Sequence, residues 1–190
     1  MTTTTATARR YWSLPTRWLA SGLAFPPAGL LAITVVSAVD RPSAAVIGGL
    51  IAGIGIGAGQ WLALRSEAPG PDLGPAWIVG TAGAMAVGLS VGAAAVRYGT
   101  STGDLVAMGL ITGAAIGPVQ GRLLRRLGLT STGGAAAWAV LVPALWALGW
   151  FVTASAGVDV ERQYTHFGLT GALASSALGA LVLNRLIRRP

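Results

Sequence analysis

Cysteine is missing from this chain of 190 residues. Disulfides, thiolate metal sites and cysteine nucleophiles are therefore excluded at the outset. Charge is nearly missing too: 10% of residues carry one, against about 25% in an ordinary soluble domain. So few charges cannot cover a water-facing surface, and 53% of the chain is hydrophobic, with mean hydropathy +0.66. Lipid is the solvent that suits such a surface. Lysine is absent as well, all thirteen basic residues being arginine. With abundant Ala and Gly, that usage points to a GC-rich bacterial genome. The net charge of +7 would suggest nucleic acid in a soluble protein. In a membrane chain it marks the cytoplasmic flanks of helices instead, and no nucleic-acid partner is expected.

Crossing a hydrocarbon core of roughly 30 Å takes about 20 apolar residues at about 1.5 Å each. Six stretches qualify: residues 18–39, 44–64, 75–96, 105–124, 135–158 and 165–186. Turn formers separate them, as at Asp40-Arg41-Pro42, Pro69-Gly70-Pro71-Asp72 and Thr130-Ser131-Thr132-Gly133-Gly134. Ten arginines (Arg9, Arg10, Arg17, Arg65, Arg122, Arg125, Arg126, Arg185, Arg188 and Arg189) fall on one side, and three (Arg41, Arg97 and Arg162) on the other. Positive residues stay inside, so the expected topology is multi-pass in a bacterial inner membrane with both termini cytoplasmic. Asp40, Asp104, Asp159 and Glu161 then lie outside. Trp12, Trp18, Trp61, Trp77 and Trp138 fall at the cytoplasmic boundary, where an amphipathic ring prefers to sit. Trp18, Trp77 and Trp138 are accordingly expected as interface anchors. Arg9-Arg10 before an apolar run also has the pattern of a cleavable signal. The repeat described next argues against cleavage, because the first span belongs to it.

In each odd-numbered span a Trp is followed eleven residues later by a Gly: Trp18 and Gly29, Trp77 and Gly88, Trp138 and Gly149. The even-numbered spans carry small residues four apart. These are Gly49, Gly53 and Gly57, then Gly109, Gly113 and Gly117, then Gly171, Ser175 and Gly179. Gln60 and Gln120 follow the first two runs, and Val182 stands in that place in the third. The unit is a hairpin of about 60 residues, present three times. The expected fold is all-α: a polytopic membrane protein of six transmembrane helices arranged as three parallel helical-hairpin repeats around an axis along the membrane normal. A polar cytoplasmic tail covers 1–17, and the hairpins cover 18–67, 75–127 and 134–189. Residues four apart share a helical face, and helices in lipid associate through smooth faces of this kind. The stripes are expected to bring the second, fourth and sixth helices together near the axis.

Gly59-Gln60-Trp61-Leu62-Ala63-Leu64-Arg65 and residues 168–183 resemble parts of small multi-pass bacterial membrane proteins with no assigned function. The resemblance covers most of the chain and rests on packing motifs, so it implies a membrane fold and no activity. Three two-helix repeats are also similar in plan to mitochondrial carriers, but the charged signature of those repeats is missing here.

Few residues offer chemistry. Gln60 and Gln120 each lie five residues before an arginine, about 7 Å inside the boundary. A buried amide must be hydrogen-bonded, so a bond across to another helix is preferred over contact with a solute. No Asp, Glu, Lys or Arg falls mid-span, which disfavours proton relays, coupled transport and intramembrane catalysis. Pro26, Pro27, Pro118 and Pro143 free the carbonyls of Gly22, Leu23, Ala114 and Ala139, which a neighbouring helix is expected to satisfy. Asp159, Glu161 and His166 form the most polar outer segment, but one His is a weak metal signal, so a solvated turn or partner contact is expected there. No metal, cofactor or catalytic residue is assigned. Anionic lipid headgroups are the expected partners of the arginine rim. The reading that follows is a non-catalytic membrane subunit or scaffold, packing with itself or with other membrane proteins. The alternative is a small passive channel or permease for an ion or small solute.

Overall fold

The computed structural model describes residues 12–67, 73–157 and 164–187. The threonine-rich tail, Arg9, Arg10, the turn at 69–72, the end of the fifth span at Val158, and Asp159, Glu161, Arg162, Gln163, Arg188 and Arg189 lie outside them. The described chain is all-helical: α1 (Leu14–Ser21), a 3-10 turn (Gly22–Ala24), α2 (Phe25–Val36), α3 (Pro42–Leu64), α4 (Leu73–Ala95), α5 (Thr102–Arg126), α6 (Thr132–Ser155) and α7 (Leu169–Leu186). With α1 and α2 taken together as one segment, six helices of 18 to 25 residues are long and apolar enough to cross a bilayer. That is consistent with a multi-pass integral membrane protein.

Local chemistry sets the ends. Ser13 accepts from the Thr16 amide and starts α1 four residues earlier than the hydropathy suggests. Pro26 and Pro27 cannot donate to the preceding turn, so the first span departs from α-helical hydrogen bonding there while its backbone stays helical. It tightens into the 3-10 turn and restarts as α2 with its prolines in the first turn. Ser37, at φ 67°, ends that helix three residues before the expected Val39. Ser101 and Asp104 cap α5 reciprocally, and Ser131 caps α6 through the Gly134 amide at 3.1 Å. The sixth span begins at Leu169 rather than Thr165, because residues 164–168 turn into the bundle instead of continuing the helix.

Each span packs mainly on its neighbours in the chain, and the first closes on the last through α1 and α7. The result is a ring of six. Glycines set how closely its members approach. A Cβ at Gly49 or Gly53 would lie 2.8 or 2.6 Å from the Cα of Ala86 or Ala82 on α4. One at Gly57 would lie 3.1 Å from the Cα of Ile78. On α5, Gly113 faces Pro143 Cα at 2.6 Å, Gly117 faces the Ala139 carbonyl at 2.6 Å, and Gly109 faces Trp146 and Trp150. Gly171 sits on the Gly149 carbonyl of α6, while Gly179 approaches Trp18 and Leu145. The expectation that these stripes meet one another at the axis is therefore corrected: they seat α3 on α4, α5 on α6 and α7 on its ring neighbours. A ring of six rods leaves a hole about one rod wide, and small residues cannot fill it. Large side chains do. The carbonyl that Pro143 frees, that of Ala139, faces Gly117, where a side chain would collide with it.

Candidate functional site

Two layers of aromatic side chains fill the ring. The first lies toward the arginine-rich end and contains Trp18, Trp77 and Trp138, all nearly fully buried. This corrects their assignment as interface anchors: they point inward and occupy the hole that the glycine seams cannot fill. Of the five tryptophans placed at the boundary, Trp12 is exposed and Trp61 is half-buried against Gly74. Trp18 meets Trp77 and Trp138 edge-on, with ring centroids 6.4 and 5.5 Å away and interplanar angles of 84° and 81°.

The two glutamines tie this layer together. Trp77 Nε1 donates to Gln60 Oε1 at 3.3 Å, and Gln120 Nε2 donates to the same oxygen at 2.8 Å. Gln120 Nε2 also donates to Thr81 Oγ1 at 3.2 Å, and its Oε1 accepts from Trp138 Nε1 at 3.2 Å. Gln60 Oε1 thus uses both lone pairs, and Gln120 uses both its donors and its acceptor. A cavity of about 30 Å³ beside the cluster, lined in part by Ser175 and Ser176, is large enough for a single water. Amides and indoles do not titrate, so this layer fixes geometry and carries no proton. Arg17 closes the end below it, with an ion pair to Glu67 that ties α1 to the end of α3.

The second layer, toward the other end, holds Phe25, Trp146, Trp150, His166 and Phe167. Phe167 stacks on Phe25 at 5.2 Å and meets Trp146 edge-on at 5.1 Å. Residues 164–168 deliver it. Thr165 packs its methyl on Gly48 of α3, His166 lies on Gly29 of α2, and Phe167 covers Gly149 of α6. The Gly168 amide donates to Thr153 Oγ1 at 3.1 Å. His166 is 6% exposed and Thr165 1%, so His166 does not belong to a solvated turn, and for that residue the expectation is corrected. Burial follows from the aromatic flanks Tyr164 and Phe167 and from the smooth Gly29 face that receives the ring. His166 Nδ1 lies 2.7 Å from the Phe167 carbonyl. A carbonyl only accepts, so this bond needs the proton on Nδ1. Neither Nε2 nor Thr165 Oγ1 has a hydrogen-bond partner. Both residues line a cavity of about 280 Å³, together with Pro26, Leu30, Trp150 and Thr153.

Gln60 and Gln120 are thus brought together by the fold, while the glycines of the three stripes are spread over separate seams. Among the described residues no group of three or more His, Asp or Glu side chains is placed to hold a metal. The cavity residues around His166 were not legible as a group, since they come from α2, α6 and the 164–168 turn. The signal that bears on them is the run Tyr164-Thr165-His166-Phe167, whose two aromatics mark an inward segment. No protein-family model, curated protein or solved structure matches the chain.

Proposed function

We propose that this protein is a non-catalytic integral membrane subunit or scaffold of a bacterial inner membrane, with both termini cytoplasmic. The carrying observation is the filled interior. Three buried indoles and a hydrogen-bonded pair of amides occupy one end of the ring, and a second aromatic layer occupies the other. A solute path along the axis would have to displace both layers, which weighs against the channel reading. The chemistry of the axial cluster is hydrogen bonding without a titratable group, which weighs against an enzyme. The outer surface is then the working surface.

The plan we infer is three copies of one hairpin. Its support is the matched pairing of Gln60 with Trp77 and of Gln120 with Trp138, 17 and 18 residues apart, which joins each hairpin to the next in the same way. Gly83 supports a partner on the outside. It lies in mid-α4 with nothing within 4 Å of a Cβ there, between exposed Val79 and Val87 one turn away on either side. A helical Gly is less favourable than Ala by about 1 kcal/mol, and this one has no neighbour to seat among the described residues. A bare position flanked by β-branched residues is suited to close approach by another helix. The arginine rim, including Arg122, Arg125, Arg126 and Arg185, suits anionic headgroups.

The test is purification in a gentle detergent from the native membrane, with quantitative mass spectrometry. A stoichiometric membrane-protein partner or a self-association is expected, and Gly83→Leu should abolish it while leaving the fold intact and the melting temperature unchanged or raised. A solitary protein that passes ions or small solutes in liposomes would replace this reading with the channel.

A further inference from the structure

The three indoles of the arginine-rich layer are not bonded alike. Trp77 Nε1 donates to Gln60 and Trp138 Nε1 to Gln120, so each finds an amide oxygen on the helix before its own. Trp18 is the third of the series, and its helix packs on α7 where the ring closes. The place that Gln60 and Gln120 hold in their stripes is taken on α7 by Val182, which offers no acceptor. Among the described residues nothing accepts from Trp18 Nε1. Yet Trp18 is 3% exposed, and buried polar groups are almost always paired. Trp18 lines the cavity of about 30 Å³. Its Nε1 points at α7: a Cβ at Gly179 would lie 3.1 Å from that nitrogen and 3.4 Å from Leu145, which lines the same cavity. The nitrogen is not one of the unpaired atoms that packing seals off, so it keeps some surface. In a side chain so deeply buried, that surface belongs to the cavity.

Three more polar groups line the same space. Gln60 Oε1 accepts from both Trp77 and Gln120, which fixes the orientation of the amide. Its Nε2 therefore donates, and it has no acceptor among the described residues. Ser175 Oγ gives its proton to the Ala172 carbonyl at 3.2 Å and keeps its lone pairs. Ser176 Oγ is unpaired among the described residues and faces the 3-10 turn, where a Cβ at Gly22 would lie 2.9 Å from it. Two N–H donors and two hydroxyl oxygens thus surround a space that holds one water. Water brings two lone pairs and two protons, and so satisfies all four. A halide, which only accepts, would leave the Ser175 lone pairs unused, and a cation would face two N–H groups. We propose that this cavity binds one structural water, which accepts from Trp18 Nε1 and Gln60 Nε2 and donates to Ser175 and Ser176. It joins α1, α3 and α7 at the seam that closes the ring. The chain bonds the first two indoles by itself and the third through solvent. The site needs only these four side chains, so it stands or falls separately from the subunit reading.

Magnetic resonance of the full chain in lipid nanodiscs, with isotope-labelled tryptophan, tests the site. The readout is dipolar transfer between water and each indole N–H proton, told from proton exchange by the opposite signs of its laboratory-frame and rotating-frame peaks. The expected result is a water peak at Trp18 at least threefold stronger than at Trp77 or Trp138, with Trp18→Phe identifying the signal. A serine hydroxyl exchanges with solvent and can relay such a peak. Ser175→Ala and Ser176→Ala each remove one hydroxyl and leave the water three partners, so the peak should keep at least half its strength in both. Val182→Gln offers Trp18 an acceptor from the chain itself, and as that bond shifts the Trp18 signal the water peak should fall at least threefold. Unmoved Trp77 and Trp138 signals show that a variant has folded. No water peak at Trp18, or equal peaks at all three indoles, would overturn the proposal. So would loss of the peak in one serine variant alone, which would trace it to that hydroxyl, or an undiminished peak beside a shifted Trp18 signal in Val182→Gln.

Discussion

Replacing Gly113 with Ala places a methyl group in the close seam between α5 and α6. The new Cβ would lie 2.6 Å from Pro143 Cα, 2.8 Å from the Val142 carbonyl and 2.9 Å from Pro143 N. All three are backbone atoms of α6 and cannot rotate away, so the helices must separate by about 1 Å to reach ordinary contact. Overpacking of this kind typically costs 1–3 kcal/mol. A gap of 0.5–1 Å elsewhere along the seam forfeits a quarter to a half of each contact's attraction. Against this stands the helix-propensity gain of Ala over Gly, about 1 kcal/mol. Gly103 supplies the matched control: it begins the same helix, and its added methyl would meet only Ser101 Oγ at 3.8 Å. Gly103→Ala is therefore expected to be neutral or stabilising by up to about 1 kcal/mol. Gly113→Ala should be destabilising by up to about 2 kcal/mol, the overpacking term less the propensity gain. Unfolding in mixed micelles by titration with a denaturing detergent, followed by far-ultraviolet circular dichroism, reads both. Equal shifts of the two variants in the same direction would refute the packing argument.

Other consequences concern the axial layer. Gln120→Leu leaves the Trp138 N–H buried without an acceptor and takes a donor from both Gln60 and Thr81. A loss of about 1–3 kcal/mol is expected in the same unfolding assay, part of it recovered when Trp138→Phe is added, and wild-type stability of the single variant would contradict the network. Val182 occupies the place in the third stripe that Gln60 and Gln120 hold in the others, three residues after Gly179, which approaches Trp18 Nε1. Val182→Gln is expected to add about 0.6–1 kcal/mol by giving that indole an acceptor. The gain should vanish in a Trp18→Phe background; the same effect in both backgrounds would count against the repeated-hairpin reading. Glu67→Gln should loosen α1 at the end of α3 by weakening its tie to Arg17, seen as faster amide hydrogen exchange over 14–21, and unaltered exchange there would show the pair to be idle.

Six apolar stretches were legible because the bilayer sets their length, and each is found within a few residues of its expected bounds except where a local device intervenes. Ser13 lengthens the first span at its start, and the inward turn at 164–168 shortens the last. Spacing identified the glycines and the Trp18, Trp77 and Trp138 series, but spacing gives a face and not the neighbour it meets. The same indole that suits a lipid boundary also suits a wide hole, and only the closed ring creates the hole. His166 was misjudged for a related reason. Charged neighbours in sequence suggested water, while Gly29, more than a hundred residues away, supplies the surface that buries it.

The order of the ring bears on how the chain assembles. Since neighbours in space are neighbours in sequence, each new helix can dock on the one made just before it, and five of the six seams need only a local encounter. The sixth cannot form until the last helix has arrived and found the first. Until then the partly built ring is an open arc, with Trp18 and Trp138 not yet in contact and the Gly29 surface bare. Closure is thus the one long-range encounter. It is completed by the seam that is tight along α1 and slack along α2, so the last contact made is also the one the finished molecule can most readily open.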